Sequence, residues 1–138
     1  LNDSFVKKYF ERWKEYPNFQ AEGAYVTMHM LEMAIDRANK LMGGWPDDEM
    51  VISQLENLGM PGPAGYVYFR PDNHQAYKDA VTGFSMNSKD YDFQILDPKR
   101  MITIPIRNIT APPNWPAPSD DKTRTYTWID KTWPKVSA

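Results

Sequence analysis

Two pairs of residues carry side chains that could do chemistry at short spacing. In the first pair, His29 and Glu32 lie three residues apart. This is about one helical turn, which is compatible with two metal ligands on one helix. The chain has only 2 histidines, and no third ligand stands at a position typical of a metal site. We therefore favour a satisfied histidine on a helix surface, and expect neither a metal nor another cofactor.

The second pair is Asp72 and His74, in the stretch DNHQAY. A carboxylate close to an imidazole could work as an acid–base pair. No nucleophile accompanies this pair, and in particular no Gly-x-Ser-x-Gly sequence is present. We therefore expect the pair to have a structural, hydrogen-bonding role in a turn, and the protein not to be an enzyme.

Composition argues against several classes of function. The net charge is -2 over 138 residues, without a visible basic stripe, so tight nucleic-acid binding through phosphate contacts is not expected. The absence of cysteine rules out disulfides and thiolate metal sites. No apolar run approaches the roughly 20 residues that span a bilayer. The sequence opens on a helix without a signal peptide, which indicates either a cytoplasmic protein or one whose N-terminal part lies upstream.

Hydrophobic periodicity predicts a helical front and an extended back. Helices are predicted at residues 4–16, capped by Asp3 or Ser4, and at 24–44 and 48–58. The predicted apolar face of the long helix contains Ala24, Met28, Leu31, Ile35, Ala38 and Met42, and is widened by Tyr25, Ala34 and Leu41. A rigid turn is predicted at 60–63, strands at 65–69, 80–86 and 91–96, a turn from Asp97, and an extended segment at 101–106.

Helices with faces this apolar pack on a sheet or on each other. In this order the strands are few and follow the helices, so the helices have little sheet to cover. One possibility is a self-contained module of three helices and a hairpin, with the aromatic tail as its partner-binding arm. The other is that the first two helices cover a sheet whose strands lie upstream of this sequence. We favour the second.

Five stretches, in order, carry a resemblance to a known family: FVKKYFERW, AYVTMHMLEMAIDRAN, MVISQLENL, GYVYFRPDNHQAY and AVTGFSM. Together they resemble the C-terminal part of a type I periplasmic solute-binding protein. The group concerned is the branched-chain amino acid, or amide and urea, binding component of ABC importers. The similarity extends over roughly the first three quarters of the chain, and the segment from Ala111 onward does not match the smaller members.

The resemblance implies an α/β fold, the C-terminal part of a two-lobed type I periplasmic-binding-protein fold. Helices would lie on a parallel sheet, followed by a crossover to the second lobe and an extended proline-rich tail. Residues 1–78, with three helices and a strand, would belong to the N-terminal lobe. Residues 79–110 would form the crossover and strands of the second lobe, and 111–138 the proline-rich and aromatic tail. An upstream signal peptide and a periplasmic or extracytoplasmic location are also implied.

The resemblance also points to a ligand site at the start of the long helix. In that family a residue about three before the helix tyrosine reaches the cleft. Tyr25 matches this tyrosine, so the position is Glu22, whose carboxylate would suit a ligand amine or amide. Tyr25 itself and Phe19 are further candidates. The competing interpretation is that Glu22 only favours the helix dipole and that Tyr25 belongs to the core.

The predicted function is that of a solute-binding component of an ABC importer, which captures an amino acid, amide or similar small polar ligand between its lobes. The implied partners are this ligand, the remaining N-terminal part of the same protein and an ABC permease in the membrane, with no nucleic acid. The alternatives are a ligand-sensing receptor or regulator domain of the same fold, and the self-contained helical interaction module.

Overall fold

The computed structural model describes residues 1–112, which form two compact units. The first unit is Leu1–Lys78, and the second begins at Asp79. The first contains the helices α1 (Asn2–Trp13), α2 (Phe19–Met42) and α3 (Asp48–Leu55) and the strands β1 (Gly59–Gly62), β2 (Gly65–Phe69) and β3 (Ala76–Lys78). The second contains β4 (Ala80–Asn87), β5 (Gln94–Ile104) and a short 3-10 helix, Ile106–Asn108. The predicted tail lies, apart from residues 111 and 112, outside this description.

Helix α1 begins two residues before its predicted start. Leu1 is its N-cap, without a side-chain hydrogen bond, so the prediction of Asp3 or Ser4 as the cap is wrong. Lys14 ends the helix in a left-handed conformation and donates its N–H to the Phe10 carbonyl. None of the residues of α1 is buried.

Helix α2 also begins earlier than predicted, because Asn18 caps it. The Asn18 side chain accepts a hydrogen bond of 2.9 Å from the Ala21 N–H, which satisfies one of the free donors of the first turn. The predicted entry loop at 18–23 is therefore mostly helix, and Glu22 lies in the first turn. Gly43, at φ 70°, ends the helix in the left-handed conformation that glycine adopts without strain.

The buried face of α2 coincides only in part with the one predicted. Val26, Met30, Ala34 and Ala38 are buried, whereas Met28 is 64% exposed. A four-residue repeat places these buried side chains on one inclined ridge of the helix. Of the predicted face, Ala34 and Ala38 are fully buried. The prediction failed because α2 is apolar over much of its circumference, so periodicity alone did not show which face the rest of the unit covers.

The core of the first unit lies between α2, α3 and a three-stranded antiparallel sheet of order β1-β2-β3. Its buried cluster is Val26, Met30, Ala34, Leu58 and Val67. Asp47 caps α3 by accepting the Met50 N–H at 2.8 Å. The predicted rigid turn at 60–63 is instead strand β1, and β3 was missed. The described strands pair antiparallel, so they do not include the parallel sheet that the resemblance implied.

The second unit, as far as it is described, is built on an antiparallel hairpin of β4 and β5. The predicted strand at 91–96 and extended segment at 101–106 lie largely on the one long strand β5. The pairing shifts between Gly83 and Ser85, whose partners are Met101 and Leu96, so residues 97–100 form a bulge. The predicted turn from Asp97 is this bulge.

Two hydrogen bonds close the bulge. The Asp97 carboxylate accepts the Arg100 Nε–H at 2.7 Å and the Lys99 backbone N–H at 2.9 Å. The hydrogen bond from the Arg100 side chain, and then that from the Lys99 backbone, lower the pKa of Asp97 below its usual value, because both favour the charged carboxylate. The Arg100 guanidinium also lies 4.9 Å from the centre of the Phe84 ring.

Among the described helices, none is both long enough and apolar enough to cross a membrane.

Candidate functional site

Glu22 and Lys78 form an ion pair at the start of α2. Glu22 is only 7% exposed, and its Oε2 accepts a hydrogen bond of 2.6 Å from the Lys78 Nζ. Glu22 lies at the head of the buried ridge of α2, one step of four before Val26. Lys78 is the last residue of β3 and pairs with Val67 in the sheet register. The sheet therefore brings a cation to the carboxylate from 56 residues away.

The second carboxylate oxygen of this pair lacks a partner. Glu22 Oε1 is buried and accepts no hydrogen bond among the described residues. It lies close to the backbone of Gly62, where a Cβ would come within 3.1 Å of it. A buried polar atom without a hydrogen bond is unfavourable and rare in folded proteins. This carboxylate is therefore a group with an unused acceptor at the start of a 24-residue helix.

The other two predicted ligand residues have different surroundings. Phe19, the first residue of α2, is 81% exposed and is available to contact a ligand or another surface. Tyr25 is half-buried, with its ring 5.0 Å from that of Phe5 and 4.5 Å from that of His29. Tyr25 thus ties α1 to α2, whereas the contacts of Glu22 are with the sheet.

The two pairs that could have done chemistry have structural partners. His29 Nδ1 lies 3.3 Å from Glu32 Oε2 on the exposed surface of α2. No cluster of three or more metal-ligating side chains occurs within residues 1–112. Asp72 binds the Arg70 guanidinium, and His74 Nε2 lies 2.9 Å from Glu56 Oε1. Asp72 therefore has Arg70 as a charged partner, and His74 has Glu56.

Comparison with known proteins identifies the family of this chain. The model of the family described as periplasmic binding protein matches residues 1–87, which is more than half of the chain. The chain belongs to the periplasmic binding protein family. The match includes both partners of the Glu22–Lys78 pair and all the elements of the first unit.

A solved structure supports the fold of this periplasmic binding protein chain. It is similar to the crystal structure of an ABC-type branched-chain amino acid transporter from Rhodopseudomonas palustris CGA009, with a TM-score of 0.61 and 22% sequence identity. The similarity covers 77% of this chain and 29% of that one, so the chain spans less than a third of its length. No curated protein matches the chain.

These findings confirm the predicted family and fold class, that of a type I periplasmic binding protein. Members of this family bind ligands and are not enzymes, which confirms the non-enzymatic prediction.

The sequence interpretation missed two charged residues of this binding protein. Lys78 was not predicted as a site residue because the register of β2 with β3 determines its partner, and β3 was not predicted. Arg70, 6% exposed, follows strand β2 and its guanidinium lies 5.1 Å from the centre of the Tyr77 ring. Its hydrogen bond to the Asp72 side chain raises the pKa of Arg70 above its usual value. The sequence Arg-Pro-Asp, a charge pair across a proline, was the available signal for that pair.

Gly62 is required by the close approach of β1 to the start of α2. A Cβ on Gly62 would lie 2.7 Å from Val26 Cγ2 and 3.2 Å from the Gly65 carbonyl oxygen. Val26 is 2% exposed and belongs to the buried core cluster. Gly62→Ala is therefore expected to lower the free energy of unfolding by about 1–3 kcal/mol, the usual effect of overpacking a core. Urea unfolding would measure this change.

Gly44→Ala is the matched control for this substitution, because a Cβ at Gly44 meets nothing within 4 Å. We expect the free energy of unfolding of this control to stay close to that of the wild-type protein. Equal stabilities of the two variants would show that β1 does not approach α2 as closely as described.

Proposed function

We propose that this chain is part of the solute-binding component of an ABC importer, which captures an amino acid, amide or similar small polar ligand between two lobes and delivers it to a membrane permease. Membership of the periplasmic binding protein family carries this proposal. The similar structure from Rhodopseudomonas palustris is that of a branched-chain amino acid transporter, which makes L-leucine, L-isoleucine and L-valine the first ligands to test. The corresponding location is periplasmic or extracytoplasmic.

The start of α2 is the proposed ligand site within this chain, with Phe19, Glu22 and Tyr25 as its residues. Phe19 would supply an exposed aromatic wall, and Tyr25 the edge of the site toward α1. Glu22 would place a buried carboxylate at the inner edge of the site, where its Oε2 accepts a hydrogen bond from Lys78 Nζ. Ligand sites combine apolar walls with a few placed polar groups, and the α2 start offers both.

The proposal includes a further N-terminal part of the same protein, which packs on the uncovered face of α2. Met28 is 64% and Trp45 81% exposed. An open groove lies between α2 and α3, lined by Leu31, Ile35, Trp45, Pro46, Asp48, Val51 and Ile52. The similar crystal structure is more than three times as long as the part this chain covers. Exposed apolar surface of this kind typically marks an interface, and the sheet of the N-terminal lobe would cover it.

Isothermal titration calorimetry of the intact protein, including its N-terminal part, tests the proposal. The ligands are the three branched-chain amino acids, with acetamide and urea as the amide-type comparison. We expect saturable binding of at least one of these compounds. The variant Phe19→Ala should weaken that binding. Leu41→Ala, on the same helix and 67% exposed, should not, because 22 residues of helix place it about 33 Å away.

Two outcomes would count against the proposal. An absence of heat and of thermal stabilisation with all five compounds would refute the proposed ligand classes. Equal weakening by Phe19→Ala and Leu41→Ala would refute the location at the start of α2. A receptor or regulator of the same fold would bind the ligand as well, but it would not sustain uptake when supplied together with a permease in membrane vesicles.

A further inference from the structure

The two members of the Glu22–Lys78 pair differ in how far they reach the surface. The Glu22 side chain is 9% exposed, whereas the Lys78 side chain is 32% exposed. A molecule that approaches the pair from solvent therefore meets the Lys78 ammonium before the carboxylate. The accessible member is the residue that sequence reasoning did not identify.

The Lys78 ammonium retains donors after it has bound Glu22. A lysine ammonium carries three N–H donors, and one of them goes to Glu22 Oε2 at 2.6 Å. The stem of Lys78 passes beside Gly65, where a Cβ on the glycine would lie 3.7 Å from Lys78 Cγ and 3.8 Å from Cδ. The stem is thus placed between the sheet and the start of α2, and the head group can donate to a further oxygen.

The surroundings of the pair favour a ligand acceptor at this point. The N-terminal end of α2 carries a positive partial charge, which adds to that of the ammonium. Glu22 Oε1 is buried without a hydrogen bond, so the pair does not use all of its polar atoms within the described chain. The pair therefore offers a ligand the spare donors of Lys78, whereas Glu22 Oε1 is enclosed. Amino acids and amides carry the complementary group, a carboxylate or carbonyl oxygen that accepts a hydrogen bond.

We propose that Lys78 is a ligand-binding residue, which donates a hydrogen bond to a carboxylate or amide carbonyl oxygen of the solute, and that Glu22 positions the Lys78 ammonium. This inference rests on the proposed solute-binding function. It adds Lys78 as a binding residue and identifies the ligand atom that it contacts as a hydrogen-bond acceptor. The ligand oxygen binds Lys78, and the buried carboxylate holds the ammonium at the start of α2.

Calorimetric titration of the intact protein with L-leucine and with L-leucinamide tests this assignment. Lys78→Met should raise the Kd for the bound compound by about 10- to 100-fold, the usual effect of losing a hydrogen bond to a charged group. Lys78→Arg keeps a cation and should stay within a few-fold of the wild-type Kd. Lys40→Met, an exposed lysine near the other end of α2, should leave the Kd unchanged.

The double variant Glu22→Met/Lys78→Met distinguishes a loss of binding from a folding defect, because it removes both charges and leaves no unpaired carboxylate. It should also lose affinity while its thermal midpoint stays near the wild-type value. A carboxylate acceptor predicts that Lys78→Met reduces the preference for L-leucine over L-leucinamide, and a carbonyl acceptor predicts that both ligands weaken equally.

Unchanged affinity in both Lys78→Met and the double variant, with a wild-type protein that binds, would overturn the assignment and leave the proposed function standing. A wild-type protein that binds neither these two compounds nor those of the first screen would refute the proposed function itself, and the role of Lys78 with it.

Discussion

Met30→Ala is expected to lower the free energy of unfolding by about 2–5 kcal/mol, the range measured when a buried methionine or leucine is cut back to alanine. Met30 is 1% exposed and is the largest fully buried side chain among the described residues. It stands in the middle of the α2 ridge and belongs to the cluster with Leu58 and Val67. Its removal leaves a cavity where α2 meets the rest of the first unit. Equilibrium urea unfolding of the intact protein would measure the loss.

Met30→Leu is the matched control, because it conserves volume and typically costs less than about 1.5 kcal/mol. A small effect of Met30→Ala, similar to that of Met30→Leu, would contradict the packing described for α2. It would indicate that a different face of the helix, such as the one containing Met28, supplies the core.

The fold could be predicted from the sequence where local signals decided it. The existence of α2 and α3 follows from their apolar periodicity, and the Asp47 cap and the Gly43 end are signals of the residue types themselves. The five stretches that resembled the family all lie within the residues that its model matches. Local chemistry was enough for these features because neighbouring residues determine them.

The buried face of α2 could not be predicted in the same way. Met28 and Met30 are the same residue type on the same helix, yet their exposures are 64% and 1%. The difference comes from what covers each face, and Leu58 and Val67 lie far from α2 in the sequence. Hydrophobic periodicity measures the helix alone, so it selected the longest apolar stripe rather than the covered one.

Strands β1 and β3 were missed for a related reason. β1 has the sequence GMPG, in which glycine and proline indicate a turn. It forms a strand because Met60 and Val67 face each other in the antiparallel register with β2. The three-residue strand β3 is too short for a pattern of its own. β1 and β3 are the two edge strands that pair with β2. The position of Lys78 depends on β3, of which it is the last residue.

The residues of the candidate site also divide into those with a local sequence signal and those without one. Glu22 could be proposed from its place before Tyr25, since the spacing is local and resembles that of the family. The ion pair with Lys78 depends on sheet register across 56 residues, for which the sequence offers no local signal. The structure therefore adds the cation and the burial of the carboxylate.

Lys78→Met is expected to destabilise the intact protein by about 3 kcal/mol, because removal of one partner leaves a buried carboxylate without its counter-charge. Glu22→Met should cost less, about 1 kcal/mol, because the remaining Lys78 side chain is 32% exposed and can turn to solvent. The expected asymmetry follows directly from the unequal burial of the two partners. Urea unfolding of both single variants would measure it.

The double variant Glu22→Met/Lys78→Met completes the cycle. Replacing both members of a buried ion pair by apolar side chains of similar size is often neutral or stabilising, so the double variant should recover most of the stability lost in Lys78→Met. The energy of interaction between the two substitutions then measures the coupling of the pair. If the two single effects simply add, Glu22 and Lys78 are not coupled in solution, and β3 does not hold the lysine against the start of α2.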